Sequence, residues 1–211
     1  IENHFDIDAE LITHLRETGK EECLQDLAFE REQLEFFYTR QRRQLGLGHA
    51  VLCSQPLVDE QNFVVALGDS IIGVNGQSQI VKSMVQEFES SQADAVIAFE
   101  EVAPAEVVHY GIAKPRGTIN GFFELDDLIE KPSVAEAPSA LAVAARYVFN
   151  QKIFTCLEKT APGKNGEIQL TDAIRMLIAE GGKVLGVRLA ANEKRFDIGS
   201  FDRYFEAFLE F

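Results

Sequence analysis

Three groups of residues in this 211-residue sequence have types and spacings suited to chemistry: Gln41 with Gly46, Asp69, and Glu130 with Lys131. Each follows a run that reads as a strand, and ligands of open α/β sheets sit beyond the carboxyl ends of strands. A glutamine amide offers both a donor and an acceptor, which suits the edge of a pyrimidine base. Gly46 lets backbone approach a ligand without an intervening side chain. The same residues also read as an ordinary strand-to-helix turn. Asp69 follows the apolar run Phe63 to Leu67 and Gly68. Its carboxylate suits Mg²⁺, which is held by one or two carboxylates plus phosphates, and equally a turn cap. Glu130 could accept hydrogen bonds from sugar hydroxyls and Lys131 could hold a phosphate as a point charge; with Pro132 they also read as an exposed ion pair before a turn. Asp197, before Ile198 and Gly199, is a further carboxylate at a turn.

The elements that must position these groups follow from periodicity. Leu11, Ile12 and Leu15 recur at helical spacing within the first eighteen residues, with Asp8 as cap, and Gly19 to Glu32 reads as a solvated helix or surface loop. Residues 36–39 read as a strand, and Gly46-Leu47-Gly48 opens a helix at His49. The continuous apolar run Phe63–Leu67 predicts a strand buried on both faces, as parallel sheets require. A helix over 80–92 and a short strand over 95–99 follow. Strand, helix, strand in alternation predicts a doubly wound α/β sheet. Strands at 111–114, 121–130 and 141–149 suggest a small antiparallel annex. Helices near 151–158, 171–179 and 201–211 and a strand at 184–189 complete the chain. Gly166 to Asp172 reads as a structural loop leading into a helix. No linker interrupts the pattern, so one domain over 1–211 is expected.

Composition excludes several classes. A formal net charge of −14 argues against a nucleic-acid backbone or an anionic membrane as partner. Three cysteines without close pairing argue against a disulfide framework and for a reduced, cytoplasmic setting. No apolar run reaches the length of a membrane span. Four scattered histidines show no HExxH, and no GxSxG occurs, so a zinc site and a hydrolase elbow are unsupported.

Four strings occur together in order: Ile1-Glu2-Asn3-His4-Phe5-Asp6, Gly46-Leu47-Gly48-His49-Ala50-Val51, Glu130-Lys131-Pro132 and Gly166-Glu167-Ile168-Gln169-Leu170-Thr171-Asp172-Ala173-Ile174. With Gln41 and Asp69 placed between them, the chain resembles the bacterial UTP–glucose-1-phosphate uridylyltransferases over nearly its whole length. The resemblance implies a Rossmann-like mixed sheet of the nucleotide-diphospho-sugar transferase type, Mg²⁺ as cofactor, UTP and glucose 1-phosphate as substrates, and a homo-oligomeric parent. It implies that Gln41 and the backbone at Gly46 read uracil, and that Asp69 and Asp197 hold Mg²⁺. Gly111 would offer backbone to the sugar, Glu130 would bind sugar hydroxyls, and Lys131 would grip the sugar phosphate. The family's G-x-G-T-R loop and the P-K pair after it have no counterpart here. The expectation is therefore a sheet without its first strands, with exposed edges, and a chain inactive by itself. A catalytically degenerate binding module and a thymidylyltransferase, whose glycine before the aspartate Gly68 shares, are the alternatives.

Overall fold

The computed structural model describes residues 9–25, 35–73, 78–119, 121–163, 166–190 and 193–210. It divides into two compact units, Ile1–Arg40 and Gln41–Phe211. The described residues of the first include helix α1 (Ala9–Glu17) and a 3₁₀ turn at Glu21–Gln25. Thr18 Oγ1 donates to the His14 carbonyl at 2.7 Å and ties off the end of α1. The Asp8 cap, the Ile1–Asp6 string and residues 26–32 of the expected surface segment lie outside the described residues. Residues 36–39, expected as a strand, carry none: they run as irregular chain with Phe37 67% exposed.

The second unit opens with α2 (Leu47–Leu52) and the short turn of helix α3 (Gln55–Val58). Eight strands follow: β1 (Phe63–Ala66), β2 (Ser70–Ile72), β3 (Ala95–Glu101), β4 (Gly111–Pro115), β5 (Phe122–Glu130), β6 (Leu141–Phe149), β7 (Val184–Arg188) and β8 (Arg195–Asp197). Between them lie α4 (Ile80–Ser91), α5 (Lys152–Lys159) and α6 (Leu170–Ala179), and α7 (Phe201–Glu210) comes last. Six strands form one mixed sheet in the order β1-β6-β3-β7-β5-β4, while β2 and β8 make a separate antiparallel pair. Among the described residues only β3 and β7 run parallel.

The mixed α/β class agrees with the sequence reading, but two placements within it do not. The strands at 111–149 belong to the main sheet, and the small separate sheet is built from β2 and β8. The 63–67 run is not a parallel strand buried on both faces: among the described residues β1 pairs only with β6, antiparallel, and Val64 is 41% exposed. An apolar run reports what a strand could bury, not how many neighbours it finds.

β3 shows why the sheet sits at the centre. Ala95, Ile97 and Phe99 face one core with Phe149, Phe154, Leu157, Ile174 and Leu177, under α5 and α6. Val96 and Ala98 face a second core with Met84, Phe88, Leu185 and Val187, under α4. The two-residue period of the strand therefore feeds both layers. In α4, Ile80, Met84 and Phe88 recur every four residues, so one helical stripe closes the second core.

Candidate active site

Site-bearing residues cluster at one end of the sheet because β4, β5 and β6 meet there. Gly111 begins β4 and pairs with Glu130, the last residue of β5. Glu130 is held from a third element: Thr171 Oγ1, in the first turn of α6, donates to Glu130 Oε2 at 2.7 Å. A Cβ at position 111 would lie 3.2 Å from Thr171 Oγ1 and 3.4 Å from Glu130 Oε2. The missing side chain thus keeps the carboxylate accessible. Lys131 has a left-handed backbone, φ 44°, and its amide donates to the Tyr110 carbonyl at 2.9 Å. Non-glycine residues held there cost on the order of 1–3 kcal/mol and concentrate at functional sites. Lys131 Nζ stands 3.8 Å from Glu130 Oε1 with half of the side chain exposed, so it can reach an anion.

The small β2–β8 sheet brings the two aspartates together. Ser70 pairs with Asp197, and the Ile198 amide donates to the Asp69 carbonyl at 2.8 Å. One point, where a Cβ on Gly199 would sit, lies 3.1 Å from Asp197 Oδ1 and 3.7 Å from Asp69 Oδ2. Both carboxylates are on the same side of the molecule. The turn carrying Asp69 is fixed by Arg146, whose guanidinium donates to the carbonyls of Ser70 at 2.7 Å and Leu67 at 3.3 Å. Burial draws the Arg146 pKa down and the nearby Asp69 charge opposes it. Its neighbour Ala145 has φ 56° inside β6, and its carbonyl accepts from the Leu67 amide of that same turn at 3.2 Å.

A cavity of about 350 Å³ joins these groups; Asp69, Gly111, Glu130, Lys131 and Asp197 all lie on its wall. Gln41 and Gly46 are beside it rather than on it, with the adjacent Leu47 forming part of the lining. Gln41 Nε2 donates to the Gly46 carbonyl at 3.0 Å and meets His49 Nδ1 at 2.8 Å. The Gly46–Gly48 turn is clamped by residues 166–168: the Gly48 amide donates to the Ile168 carbonyl at 2.9 Å, and the Ile168 amide to the Leu45 carbonyl at 2.7 Å. The segment read as structural is a clamp at one end and, through Thr171, part of the site at the other.

Four site residues escaped the sequence reading: Thr171, Arg146, Arg195 and Arg203. Arg195 is nearly buried, lies 5.1 Å over the Tyr110 ring and donates to Glu100 Oε1. Burial would lower its pKa, but the charge and hydrogen bond of Glu100 hold it above the ordinary value. Arg203 Nη1, from α7, donates to Asp197 Oδ2 at 2.6 Å. Tyr147, on the cavity wall, has its phenol pKa raised by burial first and the Glu130 charge second. None of these residues lies in a spacing pattern, since each partner is supplied by another element. Burial of Arg195 and Arg146 could be read only from coordinates.

A larger cleft of about 790 Å³ lies between α7 and the end of β3. Glu100, Glu101, Glu106, Glu206 and Glu210 outnumber Lys194, Arg195 and Arg203 along it, which disfavours a phosphate ligand, so the smaller cavity is the better candidate. Among the described residues no cluster of three or more His, Cys, Asp or Glu could hold a metal by itself. Two convergent carboxylates fit a hard cation that takes its remaining ligands from phosphates and water. Among the same residues, no helix is long and apolar enough to cross a membrane.

Comparison with known proteins finds relatives over nearly the whole chain. A UTP–glucose-1-phosphate uridylyltransferase of Pseudomonas aeruginosa is 39% identical over 208 residues, covering 98% of this chain and 73% of the relative. A UDP-glucose pyrophosphorylase solved with UDP-glucose superposes with TM-score 0.83 at 35% identity, over 98% of this chain and 74% of the other. A UTP-bound UGPase from Acinetobacter baumannii gives TM-score 0.84 at 37% identity, over 99% and 71%. The nucleotidyl transferase family model matches residues 7–211. By that match and these identities, the chain belongs to the nucleotidyl transferase family, alongside the UTP–glucose-1-phosphate uridylyltransferases.

Proposed function

We propose that this site serves uridylyl transfer from UTP to glucose 1-phosphate, giving UDP-glucose and pyrophosphate. An oxygen of the sugar phosphate attacks the α-phosphorus of UTP in line, and the bond to the β-phosphate bridging oxygen breaks with pyrophosphate leaving. No protein nucleophile is needed, so catalysis is positioning and charge neutralisation. Glu130, held by Thr171, accepts from the sugar hydroxyls, and the backbone at Gly111 lies against the ring. Lys131 pairs with the sugar phosphate. Asp69 and Asp197 would hold Mg²⁺, which when bound neutralises phosphate charge. Gln41 and the backbone at Gly46 face the base.

The observation that carries this reading is the meeting of Glu130, the half-exposed amine of Lys131 and the two carboxylates of Asp69 and Asp197 on a single cavity wall. We propose that the 211-residue chain binds UDP-glucose. Titration calorimetry with UDP-glucose and dTDP-glucose tests the substrate reading. UDP-glucose should bind, and Lys131→Met should weaken it at least tenfold, in line with a charge-assisted contact. Preference for dTDP-glucose would transfer the reading to thymidylyl chemistry, and binding of neither would remove it.

A further inference from the structure

We infer that His49 is a positioning residue that fixes the orientation of the Gln41 side-chain amide and thereby the kind of base edge the site accepts. The inference rests on the uridine reading above and adds to it a residue and a reason. A peptide carbonyl can only accept, so the Gly46 oxygen 3.0 Å from Gln41 demands the NH₂ end of that amide. The second hydrogen of the same NH₂ is directed at His49 Nδ1, 2.8 Å away. Nδ1 must then be the accepting nitrogen, which places the ring proton of neutral His49 on Nε2. Cys53 Sγ, at 3.7 Å, is a longer and weaker contact to the same nitrogen.

With both amide hydrogens engaged, Oε1 remains, and no hydrogen bond to it is formed by the described residues. It can only accept. Uracil presents an N–H at N3, whereas cytosine presents a lone pair there. The locked amide therefore complements the first and repels the second. Flipping the amide to suit cytosine would set Oε1 against the Gly46 oxygen and His49 Nδ1, acceptor against acceptor. The turn cannot move aside to relieve this: a Cβ on Gly46 or Gly48 would lie 2.8 or 2.7 Å from the Ile168 carbonyl oxygen, so backbone is packed against backbone. Sites built to bond a particular polar hydrogen reject analogues that lack it, because a buried partner is left unpaired.

The test is the ratio of UDP-glucose to CDP-glucose affinity, measured by calorimetry on the 211-residue chain. His49→Phe keeps the ring but removes the acceptor; His49→Asn places an amide oxygen where Nδ1 stood. The expected result is a preference for UDP-glucose that falls roughly five- to tenfold in His49→Phe and is retained in His49→Asn. A purely structural role would weaken both nucleotides equally and leave the ratio unchanged; that outcome overturns the inference. Nitrogen-15 NMR of the wild type gives a second readout that needs no variant. Unprotonated Nδ1 with the proton on Nε2 is expected, and the opposite tautomer overturns the lock. Absence of UDP-glucose binding to the wild type would remove the uridine reading itself and the inference with it. Binding with an unaltered ratio removes the inference alone.

Discussion

At the scale of single residues, the site depends on side chains that hold other side chains. Thr171 donates to Glu130 from 41 positions along the chain, and hydrogen bonds to a charged group contribute about 1.5–3 kcal/mol. Thr171→Val should therefore lower UDP-glucose affinity by roughly tenfold or more, while Thr171→Ser restores it, as read by calorimetry. Unchanged affinity in the valine variant would mean that Glu130 does not need its support. Arg203 occupies one oxygen of Asp197, the carboxylate proposed to share a cation with Asp69. Removing a positive charge from beside a cation site strengthens it. Arg203→Ala should tighten Mn²⁺ binding several-fold by electron paramagnetic resonance titration; weaker binding would assign Arg203 a supporting role instead.

At the scale of elements, β6 carries its own irregularity. Ala145 sits at φ 56° in the middle of a strand, and a left-handed L-residue costs roughly 1–2 kcal/mol. Glycine removes that strain but adds freedom to the unfolded chain, so the net gain for Ala145→Gly is expected to be about 0.5–1 kcal/mol by urea titration. A loss would show that the Ala145 methyl packs against something that matters more. The junction of β3, β6 and β7 is tied by Asp94. Its carboxylate accepts from Asn150 Nδ2 at 2.7 Å, Lys152 Nζ at 2.8 Å and the Lys183 amide at 2.9 Å. Burial alone would raise its pKa, but these partners together hold it below the ordinary 3.8. A depressed carboxylate contributes stability above its unfolded pKa, and that contribution is lost as pH falls through the folded value. Asp94→Ala should cost about 2 kcal/mol at pH 7, with the difference from wild type shrinking below about pH 4 in matched urea titrations. A pH-independent difference would refute the ionic account.

At the scale of the whole molecule, a chain with a formal net charge of −14 sets Lys131 and Arg195 on the wall of one cavity, with Arg146 and Arg203 bonded to residues that line it. A ligand bridging β4, β5 and α6 stabilises only the folded state. Saturation at a hundred times the dissociation constant corresponds to about 2.7 kcal/mol. UDP-glucose at that excess should raise Tm by several degrees, and CDP-glucose at the same concentration should not. Equal shifts would point to non-specific stabilisation. Much of this architecture is legible in the amino-acid order. The helices α4, α5 and α6, the strands β3 to β7, and Asp69 and Glu130 at strand ends all follow from local periodicity, because burying one face of an element imposes its period on the residues within it. Other features depend on the neighbour an element meets. β1 reads as a strand buried on both faces and is half exposed, paired with β6 alone among the described residues; residues 36–39 read as a strand and form none; β2 and β8, three residues each, carry the two aspartates to a common point. Thr171, Arg146, Arg195 and His49 acquire their roles from partners on other elements or across a turn. Periodicity is a property of a segment, whereas pairing, burial and hydrogen-bond direction belong to two segments at once, so only the tertiary structure decides them.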